Sequence, residues 1–306
     1  MIRRMTIAGF LIAAAAFRTG AGEPRDDPGA HKLYDLAVAT MRGAKTLSWT
    51  SVFIFESSDY GRLNRCVYRI WLKKPNQVRL EASLSGEVKG VLVGDGENFW
   101  KYWPAGRPAW ETDTQGERAK LYAGTERSSY MRRPSPPGRH SIGHETSDLG
   151  AGLGMPVLDP STFHGYTDSL QPYLDGVLGE GAEKVGDEDC DVVLVSFMGG
   201  QRTWRLSLSK RDHLPRRLVQ TIKARNFITT RETWSDVRID GEMSDELFRW
   251  KSPDGWTEYR RPSVSEGLIA SGTVAPDFDL PIHGGGRFRL SEKRGHIVWF
   301  YLWRAG

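Results

Sequence analysis

The chain has 306 residues, of which 39% are hydrophobic and 26% charged, so disordered, collagen-like and coiled-coil architectures are excluded as descriptions of the whole. The formal net charge is +4, but Arg3, Arg4 and Arg18 stand in the first 22 residues with no acid beside them, and the remainder sets 39 basic against 38 acidic residues. That balance gives no electrostatic ground for a nucleic-acid partner, while 11 Trp, 10 Tyr and 12 Phe favour strands.

Residues 1–22 have the three-part layout of an export signal: a basic start, an apolar run over 6–17, then small residues at Thr19, Gly20, Ala21 and Gly22. The apolar run is too short for a membrane-spanning helix, which needs about 20 residues. A retained anchor is the alternative reading, because Arg18 interrupts the boundary. No Cys stands near the cut, which argues against a lipid anchor. The expected location is outside the cytoplasm, in the periplasm or cell envelope.

Residues 30–45 space Leu33, Leu36, Ala37, Val38 and Met41 for a helix, with Gly43 as its stop. Alternating segments follow. Leu47, Trp49, Ser51, Phe53 and Phe55 share one side, as do Cys66, Tyr68, Ile70 and Leu72, and then Val78, Leu80, Ala82 and Leu84. Residues 88–103 read as a hairpin turning at Gly94-Asp95-Gly96. Residues 104–160 are rich in Pro, Ser, Gly and Arg, and are expected to form a surface insertion with some helix. A short helix is expected within 163–179. The meander resumes at Cys190, turns at Gly199-Gly200 and continues through 216–239. The pattern predicts a mainly β, antiparallel fold with a few helices, its two halves belonging to one sheet. Residues 261–272 read as a linker.

Few motifs carry chemistry. His140 and His144 with Glu145 have a metal-compatible spacing, but SPPGRHSIGHETS is a poor helix and solvated histidines are expected. Gly150, Gly152 and Gly154 lack the preceding strand of a phosphate loop, and no G-x-S-x-G element occurs. Arg132, Arg133 and Arg139 form a local basic patch, expected to be a solvated loop rather than a contact for anionic lipid at a membrane surface. No metal or cofactor is expected. Cys66 and Cys190 could pair in an exported protein, with buried free thiols as the alternative.

Two resemblances add to this. The order of helix and meander, the GDGENFWKYWP hairpin, the strand WRLSLSKRDHLPRRL with its Leu214-Pro215 corner and the closing LFRWKSPDGW resemble the LolA-like lipoprotein carriers over about 30–260. The resemblance implies a curved antiparallel half-barrel whose concave side is covered by helices. It also implies a cavity for an amphiphile or a lipidated protein. Phe53, Phe55, Trp71, Leu80, Trp100, Trp204 and Trp234 are the candidate lining residues, with ordinary core packing as the alternative. Residues 273–306 resemble the opening of the peroxiredoxin family of thioredoxin-like proteins. The match rests on Ala275-Pro276-Asp277-Phe278, Leu280-Pro281, Leu290-Ser291, Arg294-Gly295 and an apolar run ending in Leu302-Trp303. It implies a partial thioredoxin-like segment, with a hairpin, a Ser-initiated turn and a buried strand. That family works through a reactive thiolate, and residues 273–306 contain no Cys, so no catalytic residue is assigned. Three functions remain in view. They are an amphiphile carrier, a fused thiol-dependent peroxidase or disulfide oxidoreductase whose active half is missing, and a module that holds another protein.

Overall fold

The computed structural model describes residues 26–57, 61–104, 106, 129–134, 142–147, 149, 158–166, 171–223, 227–258, 269–282 and 285–298. The leader at 1–22, His140, Arg139, the glycines at 150–154 and Trp303 lie outside the described residues, as does most of the linker.

Helix α1 (Pro28–Gly43) begins where Asp27 accepts from the backbone N–H groups of Gly29 and Ala30, with Pro28 set in the first turn. Ala30, Tyr34, Ala37 and Met41, spaced by three or four residues, form its buried stripe. The helix is tied to the sheet at its start: Asp27 N–H donates to the Val177 carbonyl at 2.8 Å, and Val177 N–H donates to Asp26 at 2.8 Å.

The strands are β1 (Thr46–Ser57), β2 (Gly61–Lys73), β3 (Gln77–Leu84), β4 (Glu87–Asp95), β5 (Asn98–Tyr102) and β6 (Ser129–Pro134), then β7 (Leu174–Val185), β8 (Glu188–Phe197), β9 (Arg202–Ser209), β10 (Pro215–Lys223), β11 (Phe227–Ile239) and β12 (Thr257–Glu258). They form one curved, unclosed twelve-stranded sheet in the order β12-β6-β5-β4-β3-β2-β1-β11-β10-β9-β8-β7. All neighbours are antiparallel except β12 with β6. Two consecutive meanders, β1–β6 and β7–β11, are joined by the pairing of β1 with β11. The expectation of one mainly β antiparallel sheet holds.

Short helices α2 (Ile142–Ser147) and α3 (Ser161–His164) join α1 on one face, here called the inner face. Phe53, Ile70, Leu80 and Leu92 pack there with Met41, Ile142, Leu149 and Phe163. A second cluster sets Ala30, Tyr34 and Ala37 against Val193, Val195, Trp204, Leu206 and Leu218.

Three local expectations change. Part of the stretch 104–160 belongs to the fold, since β6 lies in the sheet and Ile142 and Leu149 are fully buried. The segment around Glu145 is a short helix, whose first N–H groups, of Ile142 and Gly143, donate to Ser161 and Asp159 and whose Glu145 meets Lys101 and Arg133. The short helix expected within 163–179 is confined to the end of α3 and a tight turn at Gln171–Tyr173, since Leu174 to Gly179 pair with β8 as strand.

The C-terminal residues form a separate small hairpin, β13 (Asp279–Pro281) with β14 (Arg287–Arg289), followed by a tight helical turn at Leu290–Lys293. Asp279 accepts from both Arg287 and Arg289, and Asp277 accepts from the Ser291 N–H at 2.8 Å. A hairpin followed by a tight turn is present, but the turn starts at Leu290 with Arg289 before it and without a side-chain cap, so it is not initiated by Ser291. The beginning of the expected buried strand does not form, since Ile297 is fully exposed and outside any strand.

Gly94 shows how tightly the inner face is packed. A Cβ there would lie 2.7 Å from Val78 Cγ1 and 2.9 Å from Phe99 Cε1. Gly94→Ala is therefore expected to cost about 1–3 kcal/mol through overpacking. Urea denaturation would read this as a lower midpoint with unchanged slope.

Candidate functional site

Cross-strand pairing resolves the inner face into transverse rows. One runs Val193, Leu206, Leu218, Glu232, Phe53, Cys66, Leu84 across β8, β9, β10, β11, β1, β2 and β3. On one side of it lies the row Trp234, Ser51, Tyr68, Ala82, and beyond that Trp49, Ile70, Leu80, Leu92, Lys101. On the other side lie Val195, Trp204, Gln220, Thr230, Phe55, and then Phe197, Arg202, Ile222, Ile228.

Exposure changes along these rows. Leu80, Ile70 and Leu92 are fully buried, and so are Phe53 and Trp234. Trp49 and Trp234 stack with ring centroids 4.3 Å apart, and Phe53 meets Tyr68 edge-on at 6.1 Å. These residues are core. Toward the far ends of β1, β10 and β11, Phe55, Gln220, Ile222, Ile228 and Arg202 are only half-buried. Among the described residues, that end of the inner face is partly exposed apolar surface with polar groups set into it, bordered by buried Phe197 and Trp204.

Two polar features stand out. The first is Glu232, 1% exposed, in the middle of the apolar row. Its carboxylate accepts from Trp234 Nε1 at 2.9 Å and Ser51 Oγ at 3.1 Å. Burial pushes the Tyr68 phenol well above its ordinary value, and the neighbouring Cys66 and Glu232 add to this. Burial also pushes the Cys66 thiol up to about 11, against the hydrogen bond from Tyr68. The second is Arg202, at the open end. Burial lowers its affinity for the proton, and its buried Nε has no hydrogen-bond partner. A desolvated guanidinium donor of that kind gains from an anionic acceptor. Beside it, Trp204 Nε1 donates to Gln220, and Gln220 donates to Thr230.

Among the candidate lining residues, Phe53, Phe55, Leu80, Trp204 and Trp234 share the inner face. Trp71 and Trp100 do not. Trp71 pairs with Ser48 and Arg79 and points outward, because Ile70 and Leu72 on either side of it point inward. Trp100 belongs to an outer aromatic cluster. Trp250 stacks on Tyr102 at 4.6 Å and meets Tyr130 at 5.2 Å and Trp100 at 5.7 Å, clasping the segment after β11 onto β5 and β6. Arg132 lies 5.0 Å over Trp100 and Arg133 pairs with Glu145, so this part of the basic patch is on strand β6 rather than in a loop.

Both cysteines are free and buried. Cys66 shares the inner face with Phe53, whereas Cys190 pairs with Glu183 and Ser209 on the outer face, five strands along the sheet. At about 4.8 Å per strand that is about 24 Å, far outside disulfide reach.

Sequence reasoning missed Glu232, Tyr68, Arg202, Ile222 and Ile228 as site residues. Alternation in FITTRETWSDVRI does place Ile228, Thr230, Glu232 and Trp234 on one side, so Glu232 could have been found by its shared parity with Trp234. Nothing local marks Arg202.

No family model and no curated protein sequence matches the chain. Solved structures with a similar fold include a LolA superfamily protein from Nitrosomonas europaea (9% identity, TM-score 0.34, covering 72% of this chain and 97% of that one). The lipoprotein LppX from Mycobacterium tuberculosis is another (8% identity, TM-score 0.40, 72% and 99%). A third is the Pseudomonas aeruginosa MucA/MucB complex (14% identity, TM-score 0.38, 83% and 71%). These likenesses are distant, and none of them says what this chain binds.

The burial of both thiols has a direct readout. A thiol reagent such as dithio-bis-nitrobenzoate is expected to leave the folded protein unmodified and to titrate both cysteines once it is unfolded. Between pH about 9 and 11 the unfolded Cys66 loses its proton and the folded one keeps it. The folded state then holds more protons, so stability falls as pH rises through that window. Cys66→Ala should remove this part of the slope.

Proposed function

We propose that the chain is an exported envelope protein that binds an anionic amphiphile, free or as the acyl group of a lipidated partner, at the open end of the inner face. The observation that carries this is the adjacency of half-buried Phe55, Ile222 and Ile228 to Arg202, whose Nε is buried without a partner. Acyl methylenes would cover the apolar side chains, and the charged head would take the guanidinium. About ten methylenes at about 0.8 kcal/mol each give about 8 kcal/mol. Association itself costs 4–15 kcal/mol by common estimates, roughly the same amount. The ion pair at Arg202 therefore decides whether binding is measurable. No bond is made or broken in such a mechanism.

Titrating cis-parinaric acid into the full chain is expected to give saturable fluorescence. Arg202→Gln should weaken it about tenfold, the scale of a lost charged hydrogen bond. Phe55→Asp should abolish it while leaving the circular dichroism unchanged. Absence of saturable binding to the folded protein would remove the carrier reading.

A second reading follows the redoxin-like segment, for which the hairpin β13–β14 and the turn at Leu290–Lys293 speak. On this reading the chain belongs to a fused thiol peroxidase family, but its own two thiols are buried with raised pKa values. Peroxide consumption with a dithiol reductant is expected to equal the reagent blank. Turnover lost in a Cys66→Ser/Cys190→Ser variant would favour the enzyme.

A further inference from the structure

The outer face carries most of the sheet's charge, and most of it is paired. Arg79 binds Glu81 at 2.8 Å, Arg205 binds Glu180 and Glu183, Arg217 binds Glu183, and Arg231 binds Glu56. Arg69 and Arg238 differ. They line a hollow of about 440 Å³ together with Ser48, Thr50, Trp71 and Asp236. Among the described residues, neither guanidinium has an ion-pair or hydrogen-bond partner, and neither do the hydroxyls of Ser48 and Thr50. Ser48 is 8% exposed, and its hydroxyl is a donor at the wall of the hollow with no acceptor among the described residues. Arg65, further along the same side of β2, likewise has no ion-pair partner among the described residues and extends the positive strip.

The hollow is created by a local irregularity. The β1–β11 register slips between Ser48 and Thr50, opposite Asp236, which has a left-handed φ of 54°. Continued without the slip, the register that pairs Thr50 with Ser235 would set Val237 against Ser48 and turn Arg238 inward. The extra residue instead places Arg238 across from Ser48, with Trp71 on the other side of Ser48 and Arg69 beside Thr50. Trp71 and Arg238 are thus two strands apart, about 10 Å between backbones.

We propose that this hollow binds a phosphate ester. Two guanidiniums approaching from different strands, with two hydroxyls between them, suit the three acceptor oxygens of a phosphoryl group. A planar carboxylate would be satisfied by one guanidinium fork. The charges of Arg69, Arg238 and Asp236 leave the hollow net positive. The half-buried Trp71 offers a flat surface to the ester substituent. The same chemistry is carried by a soluble phosphomonoester and by a phospholipid headgroup. The site is on the opposite face from Arg202, so it stands or falls apart from the amphiphile reading.

Calorimetric titration of the full chain with phenyl phosphate, inorganic phosphate and phenol tests the soluble source. Co-sedimentation with phosphatidylcholine vesicles, with and without phosphatidic acid, tests the headgroup source. Phenyl phosphate is expected to bind more tightly than either fragment. Arg69→Gln/Arg238→Gln should weaken it about tenfold or more. Trp71→Ala should erase the preference over inorganic phosphate while leaving phosphate binding intact. Binding to phosphatidic acid vesicles alone, lost in the same double variant, supports the site with a headgroup as its ligand. The proposal is overturned if neither probe binds, or if binding is unchanged in a double variant whose circular dichroism and denaturation match the parent.

Discussion

The antiparallel pairing of β1 with β11 is the contact on which the other features depend. It joins residues 46–57 to residues 228–239 and so fuses two meanders, each built from neighbours in sequence, into one sheet. The end of the pairing is locked by polar contacts. Asp240 accepts from Lys45 N–H at 2.6 Å and donates its own N–H to the Thr46 carbonyl at 2.9 Å, while the Thr46 hydroxyl donates to Gly241 at 2.7 Å. Without this seam the row through Leu218, Glu232 and Phe53 would be cut, and each half would expose an apolar edge. Both candidate sites straddle it: the inner one through Phe55 and Ile228, the outer one through Ser48 and Arg238.

Much of the sheet was legible because period-two alternation fixes which side chains share a face. The set Cys66, Tyr68, Ile70 and Leu72 already implied that Trp71 points the other way. The heavy aromatic content obscured that inference, since this chain buries aromatics on both sides. Phe99 and Trp103 go inward while Trp100 and Tyr102 go outward under Trp250 and Trp256. Counting aromatics cannot separate a lining from a clasp; only the segment after β11, seated on the outer face, does so. The strand that starts at Leu174, inside the stretch 163–179, was not legible because the two glycines and Asp175 hide an alternation that pairing with β8 makes regular. The slip at Asp236 is of another kind. It reverses the parity of the residues after it, and no local composition marks it.

The inner face also buries charge, and the reason differs from that for its apolar rows. Lys101, 1% exposed, meets Glu145 of α2 at 2.6 Å, and Glu145 also takes Arg133 at 3.3 Å. Desolvating such groups offsets most of their attraction, so the contact adds little net stability compared with an apolar pair of similar volume. It does discriminate between positions of α2. A helix shifted along the sheet would leave Lys101 among Leu92 and Met131 without its carboxylate, a cost of about 3–5 kcal/mol for a broken buried pair. The ion pair therefore fixes where the cover sits.

The position of the cover then determines where the sheet stays open. α1 spreads over Val193 and Leu206, α3 packs Phe163 into the cluster of Leu80 and Phe53, and α2 is held at Lys101, so the rows through Leu80 and Phe53 are buried. In the rows through Phe55 and Arg202, at the other end of the strands, Val195, Phe197, Trp204 and Thr230 are buried, while Phe55, Gln220, Arg202, Ile222 and Ile228 are only half-covered by the described residues. A sheet with its inner face sealed throughout would gain more apolar burial, at about 25 cal/mol per Å², and would have no reason to keep a desolvated arginine there. Arg202 at the edge of the covered region costs stability in the free protein, because its buried Nε makes no hydrogen bond. An anion arriving with an apolar tail removes both deficits at once, which is why the charge and the open surface are best understood as parts of one site.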